Sequence, residues 1–128
     1  MMAPEWLNAV VRDFGRAAGA DTFALNDRGA AAVSFENGNG LRFEYTGTEL
    51  VVAVTVPRPA EPVSLRRALS FAHPMSGTGL RIRVGYLSRS GCVIFAVRMA
   101  ERNVTLPAVN AAFAALWRIA EDLAGGPA

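Results

Sequence analysis

The stretch AAAVSFENGNGLRFEYTGTELVVAVTV, residues 30–56, decides the fold. It holds three apolar runs, Ala31–Phe35, Leu41–Tyr45 and Leu50–Val56. Asn37-Gly38-Asn39-Gly40 parts the first two, and Thr46-Gly47-Thr48 parts the last two. Asn-Gly pairs supply the positive φ that tight hairpins need, so the stretch predicts a three-stranded antiparallel meander. The middle run alternates, with Leu41, Phe43 and Tyr45 on one face and Arg42 and Glu44 on the other, the pattern of a half-buried strand. In the third run Val51, Ala53 and Thr55 are nearly as apolar as Leu50, Val52, Val54 and Val56. A strand with two apolar faces needs cover on both. That surplus points to a partner.

Working outward, residues 4–18 read as an amphipathic helix. Trp6, Leu7, Val10, Val11, Phe14, Ala17 and Ala18 follow the helical period, with Asn8, Arg12, Asp13 and Arg16 opposite. Pro4 suits the first turn and Gly19 the stop. Thr22-Phe23-Ala24-Leu25 reads as a further short strand before the turn at residues 26–29. After the meander, Pro57, Pro59 and Pro62 bar any continuation of the strand and make residues 57–62 a stiff surface connection. Ser64 is placed to cap a short helix over 65–72, ended by Pro74. A second hairpin follows, residues 80–86 returning as residues 92–97. Thr105 then caps a last helix over 106–123, striped by Leu106, Val109, Phe113, Leu116, Trp117, Ala120 and Leu123. The order α-β-β-β-β-α-β-β-α predicts an α+β domain, an antiparallel sheet with helices packed on one face.

With 128 residues, 52% of them apolar and 19% charged, the chain has enough material for one domain spanning 1–128 without disulfides or metals. Cys92 is the sole cysteine and reads as a small buried hydrophobe. The first residues lack a basic region followed by an apolar core, and no run is long enough to span a membrane, so the expected location is cytoplasmic. All thirteen basic residues are arginine. Residues 1–50 carry seven acids and four arginines, for −3, and residues 51–128 carry nine arginines and four acids, for +5. A basic second half can attract an acidic partner or nucleic acid.

The residues for catalysis are missing. One Cys and one His, His73, make no zinc set. No Gly-x-Ser-x-Gly elbow is present, and the glycines of 37–40 lack the ending of a phosphate loop. Glu36, Glu44 and Glu49 read as a solvated face rather than an acid–base pair. No enzymatic activity and no cofactor are expected. Arg81 and Arg83 share one face of a strand, with Arg98 near, but the element order differs from the RNA-recognition sheet, and a net charge of +2 is small for a surface that neutralises phosphates.

From about Trp6 to Leu123 the chain resembles the small effector chaperones of bacterial type III secretion, with their Tir chaperone-like fold. The resemblance rests on element order and on local pattern. It is carried by the first helix with its glycine break, by Phe35-Glu36-Asn37-Gly38 before Leu41-Arg42-Phe43, by Leu65-Arg66-Arg67-Ala68-Leu69, and by the last helix with Trp117 and Glu121. Members of that family are mostly acidic, and this chain, with a pI near 9.3, departs from them. The resemblance implies a homodimer without ATPase activity that holds the extended N-terminal segment of a secreted effector. Groove candidates are then Trp6, Val10, Phe23, Leu25, Leu41, Phe43 and Tyr45, each of which is open to a plain core role. The implied two-fold interface maps to Leu65, Leu69, Phe71, Tyr86, Cys92 and Ile94; Phe71 lies off its helix stripe, and residues 92–97 are apolar on both faces. Two readings stand beside this one, a non-secretory dimeric adaptor of the same fold and a nucleic-acid binder using the arginines.

Overall fold

The computed structural model describes residues 1–58, 66, 68, 70 and 80–125. Helix α1 (Glu5–Ala17) leads into strands β1 (Ala30–Ser34), β2 (Gly40–Tyr45) and β3 (Glu49–Pro57). Strands β4 (Arg83–Leu87) and β5 (Cys92–Ala100), a 3-10 turn (Glu101–Asn103) and helix α2 (Leu106–Gly125) complete it. All pairings are antiparallel, in the order β1-β2-β3-β5-β4. The meander forms as its turns require, with Gly38 at φ +90° and Gly47 at φ +103°.

Register sorts the side chains into two layers. One face carries Phe43, Val52 and Val97 in one row and Leu41, Val54 and Phe95 in the next. All six are buried, and the helices lie on this face. Phe14 of α1 stacks at 5.2 Å from Phe43 and at 5.3 Å from Phe113 of α2. The opposite face carries Arg42, Ala53, Ala96 and Arg83 in one row and Thr55 and Ile94 in the next. Ala53 and Thr55 are buried there, while Arg42 and Arg83 are exposed. Both faces of β3 are therefore apolar at the centre, as its sequence predicts.

Three expectations are corrected. Residues 22–25 are no strand, although Phe23 and Leu25 are buried. Their backbone is held by a side chain instead, because Leu25 N–H donates to Asn8 Oδ1 (2.9 Å) and Asn8 Nδ2 donates to Leu25 O (3.3 Å). The stripe of α1 is narrower than its period implies: Leu7, Val11, Phe14 and Gly15 are buried, while Trp6 is 48% exposed. The buried face of α2 is rotated toward Ala112 and Ile119, which leaves Phe113 and Trp117 half-buried on its flank. Thr105 does cap α2, its Oγ1 accepting from Ala108 N–H at 3.2 Å. The far end of α2 is tied by Arg58, whose guanidinium donates to Leu123 O, a favourable cation at a helix C-terminus. Of the helix expected over 65–72, Arg66, Ala68 and Ser70 are described and helical, and Ala68 is buried. The rest of that expected helix, Leu65, Leu69 and Phe71 included, lies outside the described residues, as do Pro59, Pro62, Ser64, His73 and Pro74.

Candidate functional site

Hydrogen-bond parity leaves one edge of the sheet open. Tyr45 N–H donates to Gly29 O (2.7 Å) and Phe35 N–H to Asn39 O (2.8 Å), so the odd-numbered residues of β1 face β2. Ala30, Ala32 and Ser34 turn their backbone groups outward. Ala30 is closed by Asn26, through its N–H to Ala30 O (2.9 Å) and through Oδ1 accepting from Ala30 N–H (3.1 Å). Ala32 and Ser34 have no hydrogen-bond partner there among the described residues. Bare strand groups of this kind are a template for an added strand.

A trough follows this edge. Its apolar end is a hollow of about 280 Å³ under Phe14, Phe23, Val33, Phe35, Leu41 and Phe113. A smaller hollow of about 110 Å³ shares Phe23 and Val33 with it and continues past Ala24 and Ala32. The third, about 330 Å³, shares Ala24 and Ala32 and ends between Arg42 and Glu44. Aromatic rings hold the apolar end open. Phe35 lies edge-on to Trp117 at 4.8 Å, and Phe113 lies 5.6 Å from Trp117. Gly15 brings α1 close, since a Cβ there would sit 2.6 Å from the Cβ of Phe23.

The structure sorts the groove candidates. Phe23, Leu41 and Phe43 are largely buried yet line the trough, with Phe23 edge-on to Phe43 at 5.1 Å. Leu25 and Tyr45 are core residues that line none of its hollows. Tyr45 O–H reaches Gly47 O (3.0 Å) and the Glu101 carboxylate. The Glu101 hydrogen bond first, then burial and the carboxylate's charge, push the phenol's pKa up. Trp6 and Val10 sit one helical turn apart on α1 and also line none of it. Sequence reasoning missed Phe14, Val33, Phe35 and Phe113 as lining residues. The signal was Gly15, a glycine on the apolar side of a helix, which marks a close approach.

Among the described candidates for the two-fold interface, Cys92 and Ile94 share the face away from the helices, and both are half-buried, so Cys92 is not the buried hydrophobe expected of it. Tyr86 pairs with Val93 on the helix-covered face, and its O–H reaches Arg58 O at 3.4 Å. Glu49 is paired with Arg98 at 3.0 Å. Among the described residues, no three His, Cys, Asp or Glu side chains gather as metal ligands, and no helix is long and apolar enough to cross a membrane.

Solved structures share this fold. The chain is similar to one in the ExsC–ExsE complex, at 20% identity and a TM-score of 0.76, covering 94% of this chain and 92% of that one. A chain of the HopA1–SchA chaperone–effector complex aligns at 15% identity and a TM-score of 0.72, covering 97% and 99%. A chain from the Yersinia pestis type III secretion chaperone SycH bound to a stable fragment of YscM2 aligns at 14% and 0.68, covering 91% and 98%. No curated protein matches the sequence. Residues 6–124 match the family described as type III secretory system chaperone SycN. A match over that span carries α1, all five strands and nearly all of α2, and the chain belongs to this family of secretion chaperones.

Proposed function

We propose that the chain is an ATP-independent, non-enzymatic chaperone, one domain acting as a homodimer, that holds the extended N-terminal segment of a secreted effector and keeps it ready for export. The observation that carries this reading is the trough along β1, with the bare backbone groups of Ala32 and Ser34 beside an aromatic hollow. An added strand gains main-chain hydrogen bonds, and its alternate side chains enter the hollow. Ordering a disordered segment costs about 2–5 kcal/mol, and burying one large apolar side chain returns roughly 1.5–3 kcal/mol. Two or three anchors therefore offset the ordering cost. The neighbours named as chaperone–effector or chaperone–fragment complexes make a protein segment the natural occupant.

The homodimer is proposed through the face that carries Cys92 and Ile94, with Leu65, Leu69 and Phe71 joining it as the family resemblance implies; Tyr86 contributes from the other side of β4. Ile94→Arg is expected to yield a folded monomer in sedimentation, and a wild-type chain that sediments as a monomer at micromolar concentration excludes the dimer.

The test of the whole reading is capture from the parent bacterium followed by limited proteolysis of the complex. The expected survivor is the N-terminal segment of one secreted protein. Val33→Asp and Ala18→Arg, both at the trough, should lose the partner while the chain stays folded by circular dichroism. Protection of a folded domain instead of a segment, or capture indifferent to both variants, overturns the proposal.

A further inference from the structure

A second bare edge lies where β4 stops short. β4 pairs with β5 only as far as Arg83 opposite Ala96, whereas β3 continues to Glu49 opposite Ala100. Glu101 N–H donates to Thr48 O (3.0 Å), so odd-numbered residues of β5 face β3. Arg98 and Ala100 consequently turn their backbone groups outward, with no backbone partner on that side among the described residues. Beside them is a hollow of about 300 Å³, lined by Val97, Met99, Ala108 and Ala112 and walled by Arg81 and Arg98.

Part of its charge has no counter-ion among the described residues. Arg81 and Arg83 are exposed on either side of the buried Ile82, and neither has an ion-pair partner among the described residues. The two local carboxylates are engaged, Glu49 by Arg98 and Glu101 by Tyr45. The hollow's β5 residues Val97 and Met99 face the helices, whereas Cys92 and Ile94 of the proposed two-fold face lie on the opposite side of the sheet, Ile94 one row from Arg83.

We propose that this edge is a second docking site, for an acidic extended segment of the same protein partner. Its backbone pairs with Arg98 and Ala100, one apolar side chain enters the hollow, and its carboxylates meet Arg81 and Arg83. The identity of the occupant rests on the chaperone reading; the chemistry of the site does not. A second copy of this chain fits poorly, because a two-fold contact here would set these arginines against their own copies. Nucleic acid fits poorly as well, because no aromatic side chain lines the hollow as a platform for a base.

The probe is a dye-labelled peptide of about eight residues alternating aspartate and leucine, long enough to cross the edge, titrated by anisotropy against the full chain carrying Val33→Asp, which closes the β1 trough to it. Binding is expected, weakened about fivefold by Arg81→Glu, and abolished by Ala111→Glu, which puts a carboxylate at an exposed helix position lining the hollow. Replacing the leucines by serine should also abolish it. Peptide binding indifferent to Arg81→Glu and Ala111→Glu overturns the second site, and the chaperone reading survives if Val33→Asp still loses the captured partner. The site is also overturned if Ala111→Glu splits a dimer in sedimentation, or if a single-stranded oligonucleotide displaces the peptide.

Discussion

Gly15 and Tyr45 each hold a position that composition alone would misjudge. A glycine inside a helix is usually a weak point, and replacing it with alanine usually stabilises by about 0.5–1 kcal/mol. Here the added Cβ would lie 2.6 Å from Phe23 Cβ and 2.9 Å from Ala20 O, and overpacking of that kind costs about 1–3 kcal/mol. Packing wins, so Gly15→Ala should destabilise by about 1–2 kcal/mol in urea unfolding and narrow the trough. Tyr45 gives a pH signature. Its pKa in the folded chain is raised above the ordinary 10.0 by the Glu101 hydrogen bond, so the folded state holds the phenol proton more tightly than the unfolded chain does. That stabilisation is fully present below pH 10 and is lost as the pH rises through the folded-state value. Unfolding midpoints from pH 8 upward should therefore converge between wild type and Tyr45→Phe in strong alkali, with wild type the more stable below.

At the scale of elements, the pairing of Asn8 with Leu25 shows why a strand expected at 22–25 is absent. A single amide supplies both the donor and the acceptor that a neighbouring strand would have supplied. Asn8→Ala strips both at once from part-buried groups and should cost about 1–3 kcal/mol, with faster hydrogen exchange at the Leu25 amide. The strands of the meander were legible because period two, turn glycines and burial all agree there; Leu41, Phe43 and Tyr45 are buried and Arg42 and Glu44 exposed. The binding surface was less legible. Which apolar residues stay at the rim depends on how far each helix slides across the sheet, and no periodicity records that. Phe43 is covered by Phe14 and Phe23, whereas Phe35 and Phe113 are left half-buried at the opening. β1 offers a variant that separates fold from function. The Ala32 N–H points to the open edge, where proline is tolerated. Ala32→Pro should keep the fold and weaken the partner by removing one main-chain hydrogen bond, about 0.5–1.5 kcal/mol.

For the whole molecule, a small net charge of +2 is divided unevenly along the sequence, −3 over residues 1–50 and +5 over residues 51–128. Most of the affinity comes from the aromatic trough, and the arginines steer the encounter. Exposed ion pairs contribute about 0–1 kcal/mol each and are screened within about 8 Å at physiological ionic strength, whereas apolar burial is not. The most direct measurement is the affinity of the captured partner's N-terminal segment for the full chain as salt is raised. Slower association is expected, but a dissociation constant changed by less than about tenfold between 50 and 200 mM salt, with binding lost on Val33→Asp. A fall in affinity of about a thousandfold or more over that range, as for a complex held by phosphate contacts, with Val33→Asp binding as well as wild type, would contradict it.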